Sequence, residues 1–294
     1  MKLFSIYSRH RLPYGRGSVR QGITRARWAV ALVICLPCLA GSVTSIPMVE
    51  SGYRQMYNLD FGEAHNTFGA WERDHPKDPM GAVSNAAAYL FAEFDRLNIL
   101  HSEFFVEDSI FRHRPKVTAD PAVRKAFDAE LAKTLQLSDA TLAKSPRDTD
   151  ALFVKIMALG LRADFDALID RHYLDSLKVL KTSRATAEQL LAIEPAYYDA
   201  YLAVGVENYM LSLKPAPIRW FLQMNGAETD RDRGIQNLRL TAEKGHYLSP
   251  YARLLLAVAA LRNKDLTQAR DILSKLVTDF PRNRLYSEEL ARLQ

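Results

Sequence analysis

Residues 58–64 read NLDFGEA and residues 263–269 read NKDLTQA, and the same types of residue follow both segments at the same offsets. The residues that follow, bulky apolar side chains and then a proline, are Phe68, Trp71 and Pro76 in the first copy and Leu273, Leu276 and Pro281 in the second. A short turn, an alanine, apolar residues at helical spacing and a terminating proline predict the same helical element twice.

A second pair of segments repeats in the middle of the chain. Pro146 is followed four residues later by Asp150, and Pro195 is followed four residues later by Asp199, with Ala and a large apolar residue next in both cases. Internal repeats of this kind are typical of stacked helical units, in which each unit buries its apolar face against the next.

The remaining sequence after residue 45 also predicts helices. Apolar residues recur three and four positions apart, no useful run alternates with period two, and the prolines fall between the helical patterns. The predicted helices cover residues 46–58, 60–74, 80–98, 120–144, 149–163, 167–193, 197–212, 230–244, 250–262, 265–279 and 284–292. Two irregular insertions separate them, at 99–119 and 213–229.

The repeated elements resemble the tetratricopeptide-repeat (TPR) superfamily. Its turn, alanine, bulky residue and proline match Ala64, Phe68 and Pro76 and recur around Ala269. Small residues where paired helices touch are matched by Gly52, Gly205 and Ala257. The resemblance implies an all-α fold over residues 45–294, an α-α superhelix (a TPR-like solenoid of antiparallel helix hairpins). The spacing of the prolines departs from the roughly 34-residue repeat of the family.

The N-terminal 42 residues have a different character. Basic residues precede the apolar run Trp28–Ala40, and small residues follow it. This order predicts a secretory signal peptide, and an uncleaved membrane anchor is the alternative. We therefore expect an exported protein, periplasmic or membrane-anchored facing the periplasm, with membrane contact through this segment. Cys35 and Cys38 lie inside the apolar run, which argues against a redox pair.

The net charge of +5 comes from the same segment. Seven basic side chains lie within the first 27 residues, and no acidic residue precedes Glu50. Removing these seven from the 39 basic side chains leaves fewer than the 34 acidic ones. The body of the chain therefore lacks the basic excess that nucleic-acid binding requires.

Two polar clusters are the candidates for chemistry. The first, in the 99–119 insertion, consists of His101, Glu103, Glu107, Asp108 and His113. Its spacing matches no established metal site, so a solvated loop is the simpler interpretation. The second consists of Asp164, Asp166, Asp170, His172 and Asp175, which we expect near the start of a long helix, where carboxylates complement the helix dipole. No catalytic triad, phosphate loop or dinucleotide fingerprint is present, so we expect no catalytic residues, metal or cofactor.

Binding is the function that the sequence predicts. The resemblance implies that the first helix of each hairpin faces a concave groove, which would hold Tyr53, Tyr57, Phe153, Tyr209 and Tyr251. Trp220 and Phe221 in the second insertion predict either a hydrophobic lip or a packed short helix. We expect a non-catalytic scaffold of the cell envelope that binds a protein or peptide. A lipid or small apolar ligand binder is the alternative, and a helical hydrolase using Asp164, Asp166 or Asp170 is a remote one.

Overall fold

The computed structural model describes residues 47–99, 116–213 and 230–293, and these ranges form eleven α-helices and no strand. The helices are α1 (Pro47–Tyr57), α2 (Phe61–Asp74), α3 (Pro79–Arg96), α4 (Pro121–Leu142), α5 (Thr149–Phe165), α6 (Tyr173–Ile193), α7 (Tyr201–Ser212), α8 (Arg231–Lys244), α9 (Ser249–Arg262), α10 (Leu266–Asp279) and α11 (Arg284–Ala291). The all-α prediction is thus confirmed.

Several predicted features fall outside the described residues. These are the N-terminal segment 1–42, all but the ends of the insertions 99–119 and 213–229, the His/Glu/Asp cluster of the first insertion, and Trp220 with Phe221. The described residues all belong to one unit, which spans Thr44–Gln294.

The two copies of the repeated heptapeptide adopt the same turn. Leu59 and Lys264, which hold the same position in the two copies, have φ values of 63° and 61°. In both turns the following residue donates its main-chain N–H to the carbonyl oxygen five residues earlier. Asp60 donates to Gln55, and Asp265 donates to Ala260. A left-handed conformation at a residue other than glycine is costly. Its presence at both positions therefore shows that the sequence repeat encodes a structural one.

One predicted helix is wrong at its start. The helix expected at 167–193 begins instead at Tyr173 as α6, because Asp166–Asp170 form a π-helical turn that continues α5. The break comes at Arg171, whose φ is 61°. Asp164 therefore lies in the last turn of α5, and Asp166 and Asp170 lie in the π-helical turn after it, so the dipole at the start of a long helix does not explain these three residues. Asp175 does lie in the first turn of α6, as expected.

Successive helices pack against each other along the chain, in five hairpins: α1/α2, α3/α4, α5/α6, α7/α8 and α9/α10. Gly52 permits the first of these contacts, because an added Cβ would lie 2.3 Å from the ring of Phe68, which is fully buried. Gly205 does the same for the α7/α8 pair, where an added Cβ would lie 3.0 Å from the main-chain nitrogen of Leu238. The expected close approaches at small residues are thus confirmed at these two glycines.

The first and last hairpins also meet, although the repeat pattern predicts contact mainly between neighbours. The Tyr57 hydroxyl donates to the carbonyl oxygen of Tyr247 at 3.0 Å. The ring of Tyr57 also contacts that of Phe280, with centroids 5.5 Å apart. Farther along the chain, Arg284 of α11 forms an ion pair of 2.7 Å with Asp95 of α3, which joins the last helix to the second hairpin. These contacts join the first two hairpins to the C-terminal part of the chain.

Candidate functional site

A cavity of about 80 Å³, partly open to the exterior, lies between the first helices of the five hairpins. Each of these helices contributes at least one side chain to it: Tyr53 from α1, Phe91 from α3, Met157 from α5, Val206 from α7 and Tyr251 from α9. The second helix α6 adds Leu180. Most of the lining is apolar, which is typical of small-molecule sites.

Helix α5 forms one wall of the cavity. Ile156, Gly160 and Asp164 follow one another at intervals of four residues and all line it. Such residues share one face of a helix. A Cβ added at Gly160 would meet no atom within 4 Å. The cavity therefore exists in part because the middle of this helix face carries no side chain.

Asp164 is the most unusual polar group in the lining. It lies deep in the protein, and part of its side chain remains accessible because it faces the cavity. Its Oδ2 accepts one hydrogen bond, from the Tyr251 hydroxyl at 3.3 Å. Among the described residues no Lys, Arg or His pairs with it. Burial raises the pKa of Asp164 to about 7, against the smaller opposing effect of the Tyr251 hydrogen bond.

Asp199 also lines the cavity but is held differently. Its Oδ1 accepts the main-chain N–H of Leu248 at 2.8 Å, and its Oδ2 accepts those of His246 at 2.8 Å and Tyr247 at 3.3 Å. Burial raises the pKa of Asp199, while the three N–H groups lower it. With both oxygens engaged, Asp199 anchors the turn between α8 and α9. The contrast leaves Asp164 as the carboxyl group with free hydrogen-bonding capacity toward the cavity.

The predicted groove residues lie mostly in the interior. Tyr53, Tyr57, Phe153 and Tyr209 are 3%, 6%, 1% and 4% exposed, and Tyr251 is half-buried. The structure brings Tyr53, Tyr57 and Tyr251 together around the cavity.

Phe153 and Tyr209 do not line it. Phe153 packs between the rings of Tyr197 and Tyr247, while Tyr209 belongs to a separate apolar cluster around Leu238. The role of the five aromatic residues in binding stays a prediction.

The other members of the acidic cluster do not face Asp164 as a catalytic pair. Asp170 forms a salt bridge with Arg124, and Asp166 lies 3.8 Å from Arg162. The guanidinium of Arg124 in turn lies over the ring of Phe165, 4.5 Å from its centroid. Asp166 and Asp170 thus belong to an ion-pair network between α4 and the end of α5. Neither Asp166 nor Asp170 lines the cavity that Asp164 faces, so the structure does not bring these three carboxyl groups together at one cleft.

A second polar cluster joins α2, α3 and α4. Glu72 accepts a hydrogen bond from the side-chain amide of Asn85 at 2.9 Å and pairs with Lys133. The neighbouring Glu130 has its pKa raised to about 7, by burial and then by the charge of Glu72. Within the described ranges, no three His, Cys, Asp or Glu side chains converge in a way that could hold a metal ion. We interpret this cluster as a packed helix–helix contact.

Sequence reasoning missed the residue that opens the cavity. Gly160 lies between apolar residues on α5, where a glycine destabilises a helix relative to alanine by roughly 1 kcal/mol. An unfavourable glycine in a helix, followed one turn later on the same face by the carboxyl group of Asp164, was the sequence signal that could have indicated a cavity here. The contact of Tyr57 with Tyr247, in the turn before α9, had no local signal, because the two residues are 190 positions apart.

Comparison with known protein families, characterised proteins and solved structures gave no significant match. Of the described helices, none has the length and apolar character needed to cross a lipid bilayer.

Proposed function

We propose that the protein binds a small, largely apolar molecule in the cavity between the first helices of its hairpins. The observation that carries the proposal is the open space beside Gly160, at the centre of an apolar lining drawn from all five hairpins. An engineered apolar cavity of about 150 Å³ takes up benzene, and the space here is about half that volume but partly open, so it suits only a smaller ligand or one part of a longer ligand. The proposal includes a TPR-like superhelix whose concave face is closed around the ligand.

Burial of the aromatic residues supports a small ligand over a peptide. Tyr53 and Tyr57 pack against each other, against Phe68 and Phe280, and against the turn that carries Tyr247. A peptide would have to displace these contacts, whereas a small molecule fits the existing space. The proposal therefore favours the alternative that the sequence left open, and it assigns no catalytic role to the lining.

Methyl NMR of the full-length protein tests the proposal. Met56 and Met157 line the cavity, while Met80 is buried elsewhere and Met48 is exposed. With ¹³C-methyl-methionine labelling, we expect titration with butanol or hexanol to shift the signals of Met56 and Met157 and to leave the other two in place. Equal shifts at these four of the seven methionines, or no shift at Met56 and Met157, would contradict the proposal.

A cavity-filling variant makes the test specific. Gly160→Leu places a side chain in the open space and should abolish the shifts without unfolding the protein. Gly62→Leu is the matched control, because Gly62 lies in the exposed face of α2 and an added Cβ there also meets nothing within 4 Å. Alcohol binding that survives Gly160→Leu would place the site elsewhere.

A protein-binding scaffold is the second candidate. Tyr173 and Leu174, adjacent at the start of α6, are 43% and 75% exposed, which supports a contact surface there. Loss of a cross-linked partner in cells on substitution of both by serine would support this role. Export also remains a proposal, which N-terminal sequencing of the protein from fractionated cells tests.

A further inference from the structure

We infer that the ligand of this cavity is an amine, whose ammonium group pairs with Asp164 while its hydrocarbon part occupies the space beside Gly160. This inference rests on the proposed function and adds the chemical class of the ligand.

The hydrogen bonding of Asp164 supports a cationic partner. Its single protein donor is the Tyr251 hydroxyl, bound to Oδ2 at 3.3 Å, and Oδ1 has no donor among the described residues. An ionised carboxyl group without a partner is costly inside a protein, and a paired one much less so. An ammonium group supplies both the opposite charge and the missing donors.

The other residues that line the cavity favour a positively charged ligand over a negatively charged one. Among the described residues that line the cavity, the charged or ionisable ones are Asp164, Asp199 and the three tyrosines Tyr53, Tyr57 and Tyr251, and none of these residues is Lys, Arg or His. An anionic ligand would thus meet two carboxyl groups and no cation. Aromatic side chains add to the preference, since the faces of their rings attract cations.

The geometry around Asp164 places the aromatic groups within reach of such a ligand. Tyr251 contacts Phe91 edge to face, with centroids 5.5 Å apart and planes at 88°. Both residues line the cavity with Asp164. The cavity of about 80 Å³ limits the buried hydrocarbon part to a few carbon atoms, and a longer chain would extend through the open side.

Three probes of equal length test the inference at pH 8. The affinities of butylamine, butanol and butyrate for the full-length protein are measured by isothermal titration calorimetry and by the Met157 methyl shift. We expect butylamine to bind about tenfold more tightly than butanol, because a hydrogen bond to a charged group is roughly twice as strong as a neutral one. Butyrate should bind more weakly than either.

The Asp164→Asn variant identifies the group responsible. It should lower the affinity for butylamine about tenfold and change that for butanol by less than about threefold. Asp166→Asn is the matched control, since Asp166 is close in sequence but does not line the cavity. It should leave both affinities unchanged.

The outcomes separate the two proposals. Binding of butanol and butylamine with equal affinity, or amine binding unaffected by Asp164→Asn, would overturn the amine inference and leave the cavity as a binding site. Failure of every probe to move the Met157 signal would overturn the proposed function itself. Tighter binding of butyrate than of butylamine would reverse the assigned charge.

Discussion

The side-chain amide of Asn283 donates a 2.8 Å hydrogen bond to the main-chain carbonyl oxygen of Tyr57, 226 residues earlier in the chain. Asn283 is at the same time the N-cap of α11, where its Oδ1 accepts from the N–H of Leu285 at 3.0 Å. Beside it, the N–H of Arg282 donates to the Oδ1 of Asn58 at 3.1 Å. One buried residue therefore both starts the last helix and joins it to the first hairpin.

Loss of this junction should destabilise the whole described unit. We expect Asn283→Ala to lower the free energy of unfolding by about 2–3 kcal/mol, since a cap and a buried hydrogen bond are lost together. The measurement is urea denaturation followed by circular dichroism. Asp265→Ala is the control, because Asp265 caps α10 through the N–H of Gln268 and should cost about 1 kcal/mol. Equal losses would show that the junction adds nothing.

Gly160→Ala should stabilise the protein. The new methyl group meets no atom within 4 Å, and alanine favours a helix interior over glycine by about 0.5–1 kcal/mol. Thermal unfolding of the variant should shift upward by a few degrees. A lowered midpoint would mean that the space beside Gly160 is not open.

Gly52→Ala should have the opposite effect. The added Cβ would lie 2.3 Å from Cε1 of Phe68, a fully buried side chain that would have to shift. We expect a loss of about 2–3 kcal/mol, the range for overpacking of a tight core. Gly52→Ala combined with Phe68→Leu should recover part of it, and an additive effect of the two changes would contradict the contact.

The carboxyl group of Asp164 should make stability depend on pH. Its pKa in the folded protein is about 7, above the ordinary value of 3.8. Between these values the folded state holds a proton that the unfolded chain has lost. The free energy of unfolding therefore falls as pH rises through this window and stays low above it. We expect Asp164→Asn to be about 1–3 kcal/mol more stable than the wild type at pH 8, and equally stable near pH 4.

Denaturation curves at several pH values check this prediction. Asp175→Asn serves as the control, because the Asp175 side chain is 64% exposed and its replacement should matter little at any pH. A destabilising effect of Asp164→Asn at pH 8 would contradict the picture of an unpaired buried carboxyl group.

Asp199→Asn should be destabilising although Asp199 lines the same cavity. Its two oxygens accept three main-chain N–H groups, and an amide nitrogen in place of one oxygen would face a donor. We expect a loss of about 2–4 kcal/mol in the free energy of unfolding at pH 7. Comparison with Asp164→Asn by the same denaturation assay distinguishes an anchored carboxyl group from a free one. Similar effects of the two variants would contradict that distinction.

Local sequence patterns predicted much of the fold. The prolines, the helical spacing of apolar residues and the repeated heptapeptide predicted the helices to within a few residues, except between Asp164 and Tyr173. An N-cap type of residue directly before a proline, as at Asp120 and Ser249, predicts a helix start. Asp120 does cap α4, because its Oδ1 accepts the N–H groups of Ala122 and Val123. Ser249 does not cap α9, because its hydroxyl donates instead to the carbonyl oxygen of Ala242 at 2.7 Å.

The sequence predicted less of the candidate site. Tyr53, Tyr57 and Tyr251 were predicted on one surface and do meet around the cavity. Asp164 was assigned to an acidic cluster, since its sequence neighbours are acidic. Its surroundings are in fact set by Tyr251, 87 residues away. A carboxyl group's environment depends on what packs against it, and sequence spacing carries no record of that.

The sequence by itself determined that the chain folds into paired helices, because turn residues, prolines and apolar periodicity act within a few residues of one another. Only the tertiary structure decided that the first and last hairpins meet. The hydrogen bonds at this contact join residues 190 and 226 positions apart, and no local pattern in the sequence records such a pairing. The surroundings of Asp164 likewise depend on helices that are distant in the chain, because Tyr251 of α9 and Tyr53 of α1 line the same cavity.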